Sequence, residues 1–216
     1  MNRILKNIWK ENKSLLIFIS LMLVFRSAVA DWNDVPTGSM KPTIVEGDRI
    51  LINKLAYDVN IPFIQKSMFK IADPQVNDII IFESEAANKR LVKRVIGVPG
   101  DIIAMSNNQL TINNQKIPYN TTETLDDKVI LNESIAESAH TIQLTASPSH
   151  LANFKAVKVP NGYYLVLGDN RNNSADSRVI GFIPRDEIIG RSSKVVISLD
   201  YDNYFLPRRE RFLLDI

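Results

Sequence analysis

The chain has 216 residues, 45% of them hydrophobic, enough to bury one core or two small ones. Its 26 basic and 24 acidic residues leave a net charge of +2, a balance that argues against a nucleic-acid binder, which carries a basic surplus on one face. The absence of cysteine excludes a disulfide framework, thiolate metal sites and a cysteine nucleophile, and two histidines, both in a Ser/Thr/Ala-rich stretch, disfavour a multi-histidine metal site or a nearby histidine base.

The chain opens with MNRILKNIWKENKSLLIFISLMLVFRSAVADW. Arg3, Lys6, Lys10 and Lys13 stand against Glu11, and an apolar run follows from Leu15 to Phe25, broken by Ser20. Two readings fit. One is a cleaved secretory signal, with Ala28-Val29-Ala30 as an A-x-A cleavage site. The other is a retained membrane anchor, lengthened by Ser27 to Ala30, with Arg26 reaching to the interface and Trp9 and Trp32 flanking the span. Both put the remainder outside the cytoplasm, because the positive charges precede the apolar run.

The stretch VPTGSMKPT, Val35 to Thr43, follows. A Gly-Ser pair after Pro is ordinarily a turn, and the G-x-S-x-G elbow does not fit Ser39, since Thr37 and Lys41 occupy the glycine positions. GDRILINKLAY, NDIIIFES, RLVKRVIG, GYYLVLG and SKVVISLD are short, β-branched and bounded by Gly, Pro, Asn and Asp, and they predict strands. In RLVKRVIG, alternation sets Leu91, Lys93 and Val95 on one face and Val92, Arg94 and Ile96 on the other. A lysine on an apolar face loses solvation, its charged form is disfavoured, and it becomes able to act as a base near neutral pH.

VPGD, Val98 to Asp101, has the residue order of a type II turn. SNNQLTINNQKI carries two Asn-Asn pairs spaced for successive hairpin turns. Residues from about 120 to 155 are polar and weakly periodic, and they read as an inserted lobe or a long loop. GDNRNNSADSR, Gly168 to Arg178, is not a calcium loop, because Arg171, Ser174 and Ile180 stand where ligands and glycine are required. Its Asp169, Arg171, Asp176 and Arg178 have the charges to pair locally and make the loop rigid.

Taken together, PTGSMKPTI, GDRILINKLAY, KRVIGVPGD and GDNRNNSADSR resemble, in order and chemistry, the bacterial type I signal peptidases, which are membrane-bound Ser-Lys endopeptidases. The resemblance implies a mostly β, antiparallel fold with a smaller inserted lobe, tethered by one N-terminal transmembrane helix. On that basis residues 1–13 are a cytoplasmic basic N-terminus, 14–30 a transmembrane anchor, 31–102 and 158–216 the catalytic β-domain, and 103–157 the inserted lobe. It also implies a monomer in the bacterial inner membrane, with its catalytic domain on the outer side.

The resemblance further implies Ser39 as nucleophile and Lys93 as general base. The Ser39 N–H and the Thr37 hydroxyl form the oxyanion hole, Ser174 hydrogen-bonds the Lys93 amine, and Asp176 with Arg178 and Asp169 with Arg94 brace the site as ion pairs. Val35, Pro36, Met40, Ile44 and Val92 are the candidate pocket linings for small residues before the cut. Partners are signal peptides of exported preproteins and the lipid bilayer, with no nucleic acid, metal or cofactor. A non-enzymatic secreted β-domain and a soluble Ser-Lys self-cleaving repressor are the rival readings.

Overall fold

The run Ile79-Ile80-Ile81-Phe82 has no polar alternation, the pattern of a strand covered on both faces. The structure is a computed structural model and describes residues 2–64, 66–136, 138–147 and 149–216, with side chains from residue 12 onward. Helix α1 (Asn2–Ala28) leads into β1 (Ala30–Asp34) and β2 (Asp48–Asn53), then a hairpin of β3 (Asp58–Asn60) and β4 (Ser67–Lys70). After β5 (Ile79–Ser84) and β6 (Lys89–Gly97) come β7 (Ile102–Ser106), β8 (Gln109–Ile112), β9 (Gln115–Lys116), β10 (Tyr119–Thr124), β11 (Lys128–Ile135), β12 (Ser138–Thr145) and β13 (Phe154–Lys158). The chain closes with β14 (Tyr163–Leu167), the single-turn helix α2 (Ser177–Ile180), β15 (Ile183–Pro184), β16 (Ile188–Asp200), β17 (Leu206–Pro207) and β18 (Leu214–Asp215).

Nine strands form the main sheet in the order β1-β2-β16-β5-β6-β14-β15, with β17 and β18 hooked onto β16. Its pairs are antiparallel. The five β-branched runs read from the sequence all lie in this sheet. Ile79 and Ile81 bury on one face against Val35, Met40, Ile44, Ile50 and Ile52. Ile80 and Phe82 bury on the other against Tyr57, Val95, Tyr164 and Val166. Strand β5 is therefore the wall between two cores, which is why its sequence is apolar without alternation.

Between β6 and β14 the chain leaves this sheet. Strands β13-β7-β8-β9 make a four-stranded sheet and β10-β11-β12 a three-stranded meander. The turns at its entrance follow their sequence chemistry: Gly100 has φ +97°, and Asn107, Asn108, Asn113 and Asn114 have φ of 49°, 61°, 50° and 67°. The polar stretch after residue 120 is thus mostly strand, not a long loop. On β11, Leu131, Glu133 and Ile135 alternate inward, and the acid among them hid the two-residue period.

The spanning segment expected over residues 14–30 is corrected. Helix α1 ends at Ala28, and Ala30 and Asp31 already pair with Asn53 and Ile52 in the main sheet. At about 1.5 Å per residue, Leu15 to Phe25 covers about 16 Å, against about 30 Å of hydrocarbon. Among the described residues no helix is long and apolar enough to cross a membrane. The Ala30–Asp31 bond of the A-x-A reading lies inside a paired strand, so cutting it requires unpairing β1.

Candidate active site

Three buried side chains fix the segment between β1 and β2. Val35, Met40 and Ile44 sink into the core, the Val35 N–H donates to Asp48 O (2.9 Å) and the Ile44 N–H to Met40 O (3.0 Å). Ser39, between these pegs, is left half-buried at the surface. Lys93, on β6 opposite Ile80 of β5, is only 2% exposed. Its Nζ lies 2.6 Å from Ser39 Oγ and donates to Val92 O at 2.9 Å. Among the described residues Lys93 is the one hydrogen-bond partner of the Ser39 hydroxyl.

Burial dominates the electrostatics of that amine. Desolvation lowers the Lys93 pKa to about 8, against the opposing pull of the Asp176 and Asp169 charges, which raise it. A substantial neutral fraction near physiological pH is the condition for taking a proton from a hydroxyl.

The loop leaving β14 closes the back of the site. Gly168 passes so close that a Cβ there would lie 2.4 Å from Ser39 O and 2.2 Å from Ser174 Oγ. The Asn170 N–H donates to Ser39 O (3.1 Å) and its side-chain amide to Gly38 O (2.9 Å). Asp169 receives Arg94 Nε at 2.9 Å, Arg94 Nη2 at 2.7 Å and the Thr43 hydroxyl at 2.5 Å. Burial would raise the Asp169 carboxyl; Arg94 and these hydrogen bonds outweigh it and hold its pKa below the usual range. Asp176 accepts Arg178 Nε and Nη2 at 2.8 and 2.7 Å and the Gly168 N–H at 3.0 Å. Arg178 then ties Leu151 O and Arg171 O, at 2.8 and 2.6 Å.

The structure separates some residues that the sequence reading grouped. Ser174 Oγ is buried without a hydrogen-bond partner, so its expected bond to Lys93 is not formed; the hydroxyl instead lies over Gly168. Val35, Met40 and Ile44 are core residues and form the floor of any depression there, not an open lining. Pro36 and Thr37 are exposed, and Val92 is half-buried against the same core. Arg171 does not pair within its loop. It is buried against Glu133 of β11, with two guanidinium–carboxylate contacts. His140 Nε2 is 3.0 Å from the same carboxylate.

Sequence reasoning missed Asn170, Thr43 and Glu133. Glu133 carried one signal, an acid at an inward position between Leu131 and Ile135. A cavity of about 640 Å³ lies between the meander and the main sheet, lined by Thr43, Arg94, His140 and Arg211 among others. It sits behind the Arg94–Asp169 pair and includes neither Ser39 nor Lys93.

The family described as signal peptidase, peptidase S26, matches residues 8–197. A signal peptidase I of Pseudomonas fluorescens is 33% identical over 202 residues, covering 86% of this chain and 71% of that protein. A signal peptidase I of Bacillus amyloliquefaciens is 33% identical over 190 residues, covering 87% of this chain and 84% of its own length. The crystal structure of a signal peptidase I from Enterococcus faecalis V583 aligns at 29% identity over 56% of this chain and 97% of that one, with a TM-score of 0.37, too loose a likeness to argue from. With the family matched over most of its length, this chain belongs to the S26 signal peptidases and is a peptidase.

Proposed function

We propose that this chain is a membrane-associated serine endopeptidase that removes N-terminal signal peptides from exported preproteins, with Ser39 as nucleophile and Lys93 as general base. The observation that carries the reading is the buried Lys93 amine 2.6 Å from Ser39 Oγ, with its pKa drawn down to about 8.

The substrate lies extended beside Val35 to Ser39, adding its backbone to that edge. A floor already filled by Val35, Met40, Ile44 and Val92 leaves shallow depressions, which suits small residues at the first and third positions before the cut. The neutral Lys93 amine takes the Ser39 proton as Oγ attacks the scissile carbonyl. The tetrahedral oxyanion is held by the Ser39 N–H and the exposed Thr37 hydroxyl, one such donor being worth about 2.7–4 kcal/mol. The Lys93 ammonium then gives its proton to the departing amine. Water attacks the acyl-enzyme with Lys93 again as base, and Ser39 is restored.

Membrane association rests on α1. Leu15 to Phe25 are exposed around the helix, as suits immersion in acyl chains. Arg3, Lys6, Lys10 and Lys13, which precede the run in the sequence, add cations for anionic headgroups. Confinement of enzyme and preprotein to one surface raises their effective concentration. The reading is tested by incubating the chain in detergent with a preprotein and locating the cut by mass spectrometry. A cut after an A-x-A sequence, lost when the residue before the cut is changed to Trp, supports it; cleavage insensitive to that change overturns the pocket assignment.

A further inference from the structure

Strands β1 and β6 face each other without pairing. In the main sheet β1 pairs with β2 alone, and β2, β16 and β5 stand between it and β6. On its side away from β5, β6 pairs with β14 only from Arg94 onward, which leaves Lys89 to Val92 unpaired there among the described residues. Yet Arg90 Nη1 comes within 3.5 Å of Asn33 Oδ1, so the sheet curls until the two free edges are a side chain apart. Val35 and Val92 pack on one core at the inner end of this slot, nearer Ser39 and Lys93. Asn33 and Arg90, two residues earlier on each wall, stand at its outer end.

Arg90 is fixed on one side and open on the other. Its Nε and Nη2 donate to Glu83 Oε1 at 2.9 and 2.6 Å, across the β5–β6 ladder where the two residues are partners. Among the described residues Nη1 has Asn33 alone, at the outer limit of a hydrogen bond. Asn33 Nδ2 donates to Asp34 O at 3.1 Å, which turns the Asn33 Oδ1 toward the guanidinium. Glu83 balances the Arg90 charge, so the slot holds a weakly used donor and a weakly used acceptor, not a net cation. A surface ion pair needs only its two members; the reach of Nη1 to the facing wall goes beyond that.

We infer that Arg90, with Asn33, is a specificity-determining residue that reads the fifth residue before the cut and selects a carboxamide side chain there, glutamine above leucine. In an extended peptide alternate residues share a face and lie about 6.6–6.8 Å apart. With the first and third residues over the floor made by Val35 and Val92, the fifth comes between Asn33 and Arg90, which stand the same two-residue step back on each wall. A carboxamide oxygen there accepts from Arg90 Nη1, and its nitrogen donates to Asn33 Oδ1, so two good hydrogen bonds replace one loose contact. Leucine covers the same donor and acceptor and satisfies neither. The inference rests on the extended substrate pose proposed above.

The test uses the full chain in detergent and peptides with an A-x-A sequence, alike except for glutamine, leucine or glutamate at the fifth residue before the cut. Wild type is expected to show kcat/KM about tenfold higher with glutamine than with leucine, as for a hydrogen bond to a partly exposed charged group. In Arg90→Met that ratio falls to about one. Glu83→Gln leaves the guanidinium unbalanced, so glutamate overtakes glutamine. Equal rates with glutamine and leucine in the wild type, a preference that persists in Arg90→Met, or no gain for glutamate in Glu83→Gln overturns the assignment. Affinity for the same peptides is also read by fluorescence anisotropy on Ser39→Ala, with and without Arg90→Met. A glutamine preference in binding that Arg90→Met abolishes, in a chain whose wild type cleaves none of the peptides, removes the peptidase reading and keeps Arg90. No preference in either measurement removes Arg90, whatever the chain cleaves.

Discussion

The side-chain amide of Asn170 donates to the Gly38 carbonyl at 2.9 Å. In a trans peptide the C=O and N–H of one unit point in opposite directions. Holding Gly38 O therefore aims the Ser39 N–H, the backbone donor of the proposed oxyanion hole. Glycine turns a peptide cheaply, so this plane needs a clamp; the Lys41 N–H supplies a second one at 3.1 Å. Asn170→Ala is expected to lower kcat by about 10- to 100-fold, less than the 10²–10³ for outright loss of a donor, with KM changed little. Steady-state kinetics beside a thermal melt checks this: an unchanged kcat removes the clamp, and a lowered Tm with kcat and KM moving together reduces Asn170 to a structural role.

The Lys93 amine must be neutral to accept a proton. With its pKa lowered to about 8, log kcat/KM should rise with unit slope as pH approaches 8 and level off above it. Asp176 is the strongest influence raising that pKa, because its negative charge favours the ammonium. Asp176→Asn removes the charge and leaves Arg178 unbalanced, so the acid limb should move to lower pH. A pH–rate profile of both proteins checks the sign, and a limb that moves upward contradicts the electrostatic account.

Arg171 and Glu133 link the inserted meander to the loop behind Ser39. Glu133 is held well below the usual carboxylate range: burial would raise it, but Arg171 and His140 outweigh burial. Glu133→Gln leaves the Arg171 charge buried and unpaired, and a loss of about 3–5 kcal/mol is expected from chemical denaturation. Glu133→Leu with Arg171→Met removes both charges and should recover much of that loss. If the double variant is as unstable as the single one, the pair's charge balance is not what matters there.

The main sheet was legible because its strands are β-branched runs bounded by turn residues; the burial of β5 on both faces is seen only in the fold. The Asn-Asn and Pro-Gly turns were legible because each demands a backbone conformation that few residues tolerate. The meander was not, since Thr, Asn and Ser fill its outer positions and Glu133 interrupts the inner ones. The expected segment 14–30 runs past the end of α1, because the small residues Ser27 to Ala30 carry no signal that ends a helix, whereas Ala30 pairs into the sheet. At the site, Ser39, Lys93, Asp169 and Asp176 stand out by residue type and motif. Asn170 acts on a backbone carbonyl 132 residues away, and Arg171 pairs 38 residues away; only folding puts either partner on view.

The central claim is that the buried Lys93 amine is the base for Ser39. The most direct measurement is cleavage of a preprotein in detergent by the wild type, Ser39→Ala and Lys93→Ala, with circular dichroism on each to confirm the fold. The account predicts folded variants, both without detectable processing over hours. A folded Lys93→Ala protein that still cleaves at a substantial rate would contradict it.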